Sequence, residues 1–242
     1  MDDNSKHYFW KHWKRKSNQE VKYGQSLEKA LIWIKEQPFI NEVISMYVKA
    51  SFVNRELNKK SDIDLVLVVK NEETSNLVRV IRDKNKDWLK PVELLPIGIE
   101  ELINNERFKK PVPGKLQGRP DHFTILLPYH KLVYGKPLNP EKFKIRTERK
   151  IYGDLKQAIE DQFIPLYEAG ELGFTQLIKQ VSHLIYWEER LKGKAFSPTW
   201  KEIKKASINN ELFQRTFYLR FHPTKNKRVR SKYIIELKEY LK

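Results

Sequence analysis

At residues 50–69 the chain reads ASFVNRELNKKSDIDLVLVV. Its second half places two acids, Asp62 and Asp64, at the start of an apolar run that ends at Val69. Because side chains alternate between the faces of a strand, the two carboxylates point to the same side. Such a pair is unfavourable unless a cation neutralises it, and Mg²⁺ selects carboxylate oxygens when it also binds substrate phosphates. The stretch therefore predicts a divalent-metal site for nucleotide chemistry, with capping of a buried strand as the alternative.

A turn and a linker precede this acidic strand. The apolar segment Met46–Val48 leads into Ala50-Ser51, and residues 52–60 are polar enough for a loop or a short helix. The whole pattern resembles the signature of the DNA polymerase β-like nucleotidyltransferase superfamily, small prokaryotic type, which includes aminoglycoside nucleotidyltransferases and minimal nucleotidyltransferases. The resemblance implies that Ser51 and nearby backbone amides hold a triphosphate and that Asp62 and Asp64 bind the metals.

Two positions depart from the pattern of that family. Ala50 stands where the family prefers glycine, which lets the backbone approach a phosphate more closely. Asn54-Arg55 stands where many small members carry Arg-Gly. Neither change removes a predicted metal ligand, and the resemblance still implies that Ala50, Ser51 and Arg55 bind nucleotide.

A third acid completes the predicted site. The segment Pro91–Leu95, PVELL, predicts a short strand that Pro96 ends. Glu93 lies at its centre, about thirty residues after Asp64. The resemblance implies that this strand supplies a third carboxylate, so Glu93 is predicted to bind metal and to act in catalysis. An exposed glutamate on an edge strand is the alternative.

The periodicity of the chain predicts an α+β fold with two domains. The resemblance implies that residues 1–140 form a mixed-sheet nucleotidyltransferase domain with an N-terminal helical extension, and the periodicity predicts an all-helical bundle at residues 141–242. The predicted helices of the first domain are 26–37 and 72–86, and its predicted strands are 43–48, 63–69, 91–95 and 123–127. The clearest helices of the second domain are 174–191 and the one that opens at Ser197-Pro198-Thr199.

Two short segments add candidate contacts. Phe9, Trp10 and Trp13 share one helical face, which predicts docking on the body of the protein, with stacking on nucleic-acid bases as the alternative. Residues 130–136, HKLVYGK, resemble the segment that closes the catalytic domain in many small nucleotidyltransferases. Lys136 or His130 is predicted to reach a phosphate, with a surface position as the alternative for either.

Composition narrows the environment and the partners. The chain has 242 residues, no cysteine and a net charge of +16. The absence of cysteine, of a membrane-length apolar run and of a secretory-type N-terminus favours the cytoplasm. Residues 194–242 contain thirteen Lys or Arg against four Asp or Glu, a local excess of nine positive charges. A basic face attracts polyanions such as nucleic acid, and a solvated lysine-rich surface is the alternative.

The predicted reaction is the transfer of NMP from an NTP, with ATP as the expected nucleotide, to an acceptor hydroxyl with two Mg²⁺ ions. RNA or a protein is the first candidate acceptor, because the second domain is basic. A small hydroxylated molecule such as an aminoglycoside is the alternative, although a cationic acceptor favours an acidic cleft. A catalytically inactive nucleotide- or nucleic-acid-binding module is the third reading, and the complete acidic trio argues against it.

Overall fold

A computed structural model of the chain describes residues 8–58, 61–108, 118–194 and 196–242. Contacts divide these residues into two compact units, the first ending at Ile145 and the second running from Arg146 to Lys242. The sequence-predicted boundary, between residues 140 and 141, falls in a short 3₁₀ turn of the first unit, Pro140–Lys142.

The first unit is built on a four-stranded mixed sheet. The strands are β1 (Val43–Lys49), β2 (Ile63–Val69), β3 (Val92–Gly98) and β4 (Lys131–Gly135), in the order β3-β2-β1-β4. Strand β1 is antiparallel to both β2 and β4, whereas β2 and β3 run parallel. The helices of this unit are α1 (Asn18–Lys35), α2 (Glu72–Lys84), α3 (Lys86–Leu89), α4 (Ile99–Asn104) and α5 (Pro120–Ile125). The predicted α+β class is confirmed.

Helix α1 begins at Asn18, earlier than the predicted start at residue 26. Ser17 and Glu20 form a capping box, in which the Ser17 hydroxyl accepts from the Glu20 N–H and the Ser17 N–H donates to Glu20 Oε2 at 2.7 Å. This arrangement satisfies two backbone N–H groups at the helix start. Ser26, where the predicted helix begins, lies inside the helix, and its hydroxyl donates to the carbonyl of Lys22 at 3.1 Å. The predicted start was therefore wrong.

The predicted strand at residues 123–127 was also wrong. Helix α5 covers most of it, and a 3₁₀ turn follows at Leu127–Tyr129. Phe123 and Leu127 belong to the same buried cluster, and their four-residue spacing puts them on one face in a helix as it does in a strand, so the apolar pattern alone does not distinguish the two. Pro120 at the first helical position favours this outcome, because its fixed φ suits a helix start.

Strand β3 does not end at Pro96. It continues to Gly98, with Pro96 opposite Leu67 in the parallel register. Because β3 is an edge strand, the N–H that proline lacks is not needed by a neighbour on the outer side. In α2, Leu77 and Val80 are 41% and 50% exposed, whereas Val78 is buried.

The N-terminal aromatic residues pack into the body of the first unit. Trp10 lies in a 3₁₀ turn, Phe9–His12, and is buried. The fully buried ring of Phe52 lies 6.0 Å from the ring of Trp10 and 5.0 Å from that of Trp13. The predicted docking is confirmed, and rings in these positions do not form an exposed stacking platform.

The described residues of the second unit contain only helices and turns. The helices are α6 (Glu148–Ala158), α7 (Ile164–Glu168), α8 (Phe174–Leu191), α9 (Trp200–Ala206), α10 (Glu211–Phe221) and α11 (Lys227–Leu241), with a π-helical turn at Ile159–Phe163. Helix α8 has the predicted bounds and packs against α6, α9 and α10. Thr199 caps α9 by accepting from the Glu202 N–H. Among the described residues, no helix combines the length and apolarity of a membrane span.

Candidate nucleotide and metal site

Three charged residues form a row across the sheet of the first unit. Lys49 at the end of β1 is opposite Asp64 of β2, and Asp64 is opposite Glu93 of β3. Residues that are direct partners in neighbouring strands project from the same face of a sheet, so the three side chains project together. Asp62 precedes Asp64 by two residues and shares that face. The sheet therefore brings the three predicted acids to one end of one face.

Packing explains why these acids remain accessible. The opposite face of β2 contributes Ile63, Leu65 and Leu67 to one buried cluster. The acid-bearing face continues into a second buried cluster around Val66 and Val68, which includes residues of α4 and α5. The acid row lies beyond this cover: Asp62 and Glu93 are exposed, and Asp64 is partly buried. The apolar run in the sequence thus forms a strand that is buried on both faces, and the acids lie at the end of that strand that solvent reaches.

The electrostatics of the row indicate crowded negative charge. The pKa of Glu93 is raised above its ordinary value, first by desolvation and then by the charges of Asp64 and Asp62. Lys49 and Arg82 oppose this shift. The Lys49 ammonium also forms a salt bridge of 3.1 Å with Asp64 Oδ2. The Lys49 ammonium therefore neutralises part of the negative charge of Asp62 and Asp64, and the remaining negative charge contributes to the raised pKa of Glu93.

The turn between β1 and β2 has a backbone conformation that suits glycine. Ala50 has φ 58°, in the left-handed region. Glycine occupies that region without a steric penalty, whereas a Cβ is disfavoured there. The turn is closed by bonds from the Asn54 N–H to the Ala50 carbonyl (3.0 Å) and from the Glu56 N–H to the Ser51 carbonyl (2.8 Å). The Ser51 hydroxyl lies 3.5 Å from the carbonyl oxygen of Asp62, beside the acid strand.

The structure uses Arg55 to hold chain segments together. Its guanidinium donates to both carboxylate oxygens of Glu20, at 2.6 Å and 3.0 Å, and to the carbonyls of Lys14 and Arg15. It also lies 5.1 Å over the ring of Trp13. These bonds lower the pKa of Glu20 to about 2, with the Arg55 hydrogen bond as the largest cause. The Arg55 side chain is therefore directed to α1 and not to the acid row.

Lys136 lies at the far end of the sheet from the acids. Its N–H donates to the Ile44 carbonyl at 3.4 Å, next to the pairing of Ser45 with Gly135. Lys49 is five residues further along β1, which corresponds to about 17 Å of strand. The structure does not bring Lys136 to Asp62, Asp64 or Glu93, because β4 pairs antiparallel with β1 and its last residue lies at the opposite end.

Sequence reasoning missed one residue of the row, Lys49, and misplaced His130. The sequence feature that could have identified Lys49 is its position at the end of an apolar strand, directly before the turn. His130 stacks on Phe123 with 5.1 Å between ring centroids, and both of its ring nitrogens are buried. Burial and the neighbouring charges of Lys49 and His122 lower the pKa of His130 to about 3. A neutral imidazole at this position does not supply the phosphate-binding charge that the sequence suggested.

The donor chemistry at the acid row suits Mg²⁺. Asp62 and Asp64 offer hard oxygens, and Mg²⁺ is usually held by one or two carboxylates together with substrate phosphates. Within the described ranges, no three His, Asp or Glu side chains stand close enough together to form a metal-binding group by themselves. A cation bound to Asp62 and Asp64 would reduce the repulsion between these two acids and Glu93. The residues therefore fit a metal that is shared with a phosphate ligand.

The comparisons with known proteins found likenesses among solved structures. Neither protein families nor curated proteins match the chain. Among solved structures, the chain resembles spectinomycin adenyltransferase AAD(9) from Enterococcus faecialis, determined with ATP and spectinomycin. The match covers 93% of this chain and 90% of that one, at 15% sequence identity and a TM-score of 0.48. A likeness at this level does not assign an activity to the chain.

Proposed function

We propose that the chain is a Mg²⁺-dependent nucleotidyltransferase that moves NMP from an NTP to an acceptor hydroxyl. The observation that supports this most is the row of Lys49, Asp64 and Glu93 on one face of the sheet, with Asp62 beside it. Carboxylates next to a lysine and a tight turn are suited to a ligand that combines phosphate with a divalent cation.

The individual side chains have separate proposed roles. Asp62 and Asp64 hold Mg²⁺, which when bound neutralises phosphate charge and stabilises the leaving group. The Ser51 hydroxyl and the backbone of the turn at Ala50 donate to the phosphates. Lys49 exchanges its bond with Asp64 for a bond to a phosphate oxygen, since its ammonium is a mobile point charge.

Glu93 is proposed as the general base. The acceptor oxygen attacks the α-phosphorus, the bond to the β-phosphate oxygen breaks, and pyrophosphate leaves. The proton of the acceptor hydroxyl goes to Glu93. A raised pKa makes a carboxylate a better proton acceptor near neutral pH, and desolvation, the largest cause of the shift at Glu93, does not depend on the charges that Mg²⁺ would neutralise.

The acceptor is proposed to be an RNA or a protein hydroxyl. Residues 194–242 of the helical unit have thirteen basic and four acidic residues, which suits a polyanion better than a cationic small molecule. A small hydroxylated acceptor is tested beside these two. Arg55 and Lys136 are left out of the proposed mechanism, because the first binds Glu20 and the second lies at the far end of the sheet.

The test is transfer of label from α-labelled NTPs, ATP first, in the presence of Mg²⁺. Separate reactions contain tRNA, a protein mixture or aminoglycosides. We expect label in tRNA or protein, and its loss in Asp64→Asn. Asp87→Asn is the matched control, because Asp87 is exposed and pairs only at the surface with Lys90 at 2.8 Å.

Two outcomes contradict the proposal. If wild-type protein binds Mg-NTP but transfers label to none of the three pools, nucleotidyl transfer is wrong and the chain is a binding module. If Asp64→Asn transfers label as fast as Asp87→Asn, the assignment of the metal site is wrong. If label is found only in aminoglycosides, the proposed reaction holds and the proposed acceptor is wrong.

A further inference from the structure

The helical unit contains a surface cavity that has no part in the proposed reaction. Its volume is about 420 Å³, and it opens along α10. It is lined mainly by Lys204, Arg215, Phe217, Tyr218, Phe221 and His222. We call these six residues the α10 surface. Phe217 is fully buried and forms its floor, because the inner side of α10 packs into the core of the unit.

Two large aromatic side chains of the α10 surface face solvent. Tyr218 is 64% exposed and Phe221 is 53% exposed, although each offers a large apolar area for burial. The ring of Tyr218 lies 4.8 Å from the ring of His222, at an interplanar angle of 37°. The side chains thus present flat faces around a concave site. Flat aromatic faces at a protein surface are suited to stacking with unpaired bases.

The charges around the cavity are positive. No acid lines it in the part of the chain that the structure describes. Glu236, from α11, binds the Arg215 guanidinium with two bonds of 2.5 Å and 2.7 Å. The ammonium of Lys204 makes no ion pair with any described residue, and Lys205, Lys225 and Arg228 are exposed nearby in sequence. Glu236 neutralises Arg215, whereas Lys204 has no acidic partner among the described residues. The rim of the cavity therefore carries a net positive charge.

We propose that the α10 surface binds a single-stranded nucleic acid. Bases stack on Tyr218 and Phe221, and Lys204 contacts a phosphate. A duplex keeps its bases stacked on one another, so only a single strand offers base faces to these rings. An acidic peptide matches the charge but has no flat bases for the two rings. This binding does not require nucleotidyl transfer; if both hold, the bound strand belongs to the acceptor class.

The test is fluorescence anisotropy of the full chain with labelled 12-nucleotide RNA and DNA single strands. We expect Tyr218→Ala and Phe221→Ala each to weaken binding by about fivefold to a hundredfold, as loss of one stacked base does. Lys204→Ala should reduce the slope of log K against log salt by about 0.7, the value for one phosphate contact in a single strand. A preference for RNA or for DNA supports the proposal and identifies the sugar.

Matched variants separate this surface from general charge and from misfolding. Ile235→Ala removes an exposed apolar side chain from α11, and Lys179→Ala removes an exposed lysine from α8. Both should bind as wild type. Tyr218→Phe and Phe221→Tyr keep a ring and should retain affinity, whereas a merely unfolded unit loses binding in every variant and shows a changed far-UV circular dichroism spectrum.

Three results overturn the proposal. The first is unchanged affinity in the two alanine variants of the aromatic residues. The second is equal affinity for a duplex of the same sequence. The third is full displacement by polyglutamate at equal charge concentration, which assigns binding to charge alone. Asp64→Asn should bind the strand as wild type, so failure of nucleotidyl transfer and failure of strand binding are measured independently.

Discussion

Neutralising Glu20 should destabilise the protein in a strongly pH-dependent way. Glu20 is 8% exposed in its side chain and binds the guanidinium of Arg55, which is 37% exposed. The substitution Glu20→Gln removes the charge and keeps an acceptor for the Ser17 N–H, because glutamine also serves in a capping box. The perturbation is therefore limited to the ion pair between α1 and the turn that follows β1.

The magnitude follows from the pKa of Glu20, which falls from 4.5 to about 2. A shift of that size corresponds to about 3 kcal/mol between the two protonation states. Because water reaches the Arg55 guanidinium and screens the pair, we expect about 1–2 kcal/mol of it in the free energy of unfolding. The lowered pKa means that this stabilisation is complete above pH 4.5 and disappears as the pH falls towards about 2.

Urea denaturation at several pH values between 2 and 7 provides the assay. The difference between wild type and Glu20→Gln should be about 1–2 kcal/mol at pH 7 and should shrink on acidification. Glu28→Gln, on the same helix, removes the partly exposed bridge to Lys11 and should cost about 0.5 kcal/mol. Equal costs for the two variants, or a cost of Glu20→Gln that does not change with pH, would refute the reasoning.

The remaining predictions concern the turn, the base and the core. Ala50→Gly should raise the free energy of unfolding by about 0.5–1 kcal/mol, because φ 58° no longer strains a Cβ; a lower urea midpoint contradicts this. Glu93→Gln should lower kcat by about 10²–10⁴. Because the pKa of Glu93 is raised, the wild-type protein should lose stability in metal-free buffer as the pH rises through that pKa. Glu93→Gln should remove this loss, and identical pH–stability curves for the two proteins would contradict the prediction. Phe52→Ala should cost about 3–5 kcal/mol and shift the fluorescence of Trp10 and Trp13 to the red, since the ring is fully buried between them; unshifted emission counts against this packing.

The local pattern of the chain was sufficient for much of the architecture. Strand β2 and helix α8 have the predicted bounds, because an apolar run between polar turns and a long amphipathic repeat are strong signals. The Thr199 cap was readable from spacing alone. The same reasoning failed at residues 123–127, where a short apolar run is compatible with either helix or strand until its packing partners are known.

For the candidate site, the sequence by itself determined that Asp62 and Asp64 share a face, because that depends only on the two-residue period of a strand. The position of Glu93 beside Asp64 depends on the parallel pairing of β2 with β3, and that of Lys49 on the antiparallel pairing of β1 with β2. Arg55 and Lys136 likewise took positions set by distant partners, Glu20 and Ile44. Only the tertiary structure decides such placements, since strand register and long-range ion pairs join residues whose separation along the chain contains no periodic signal.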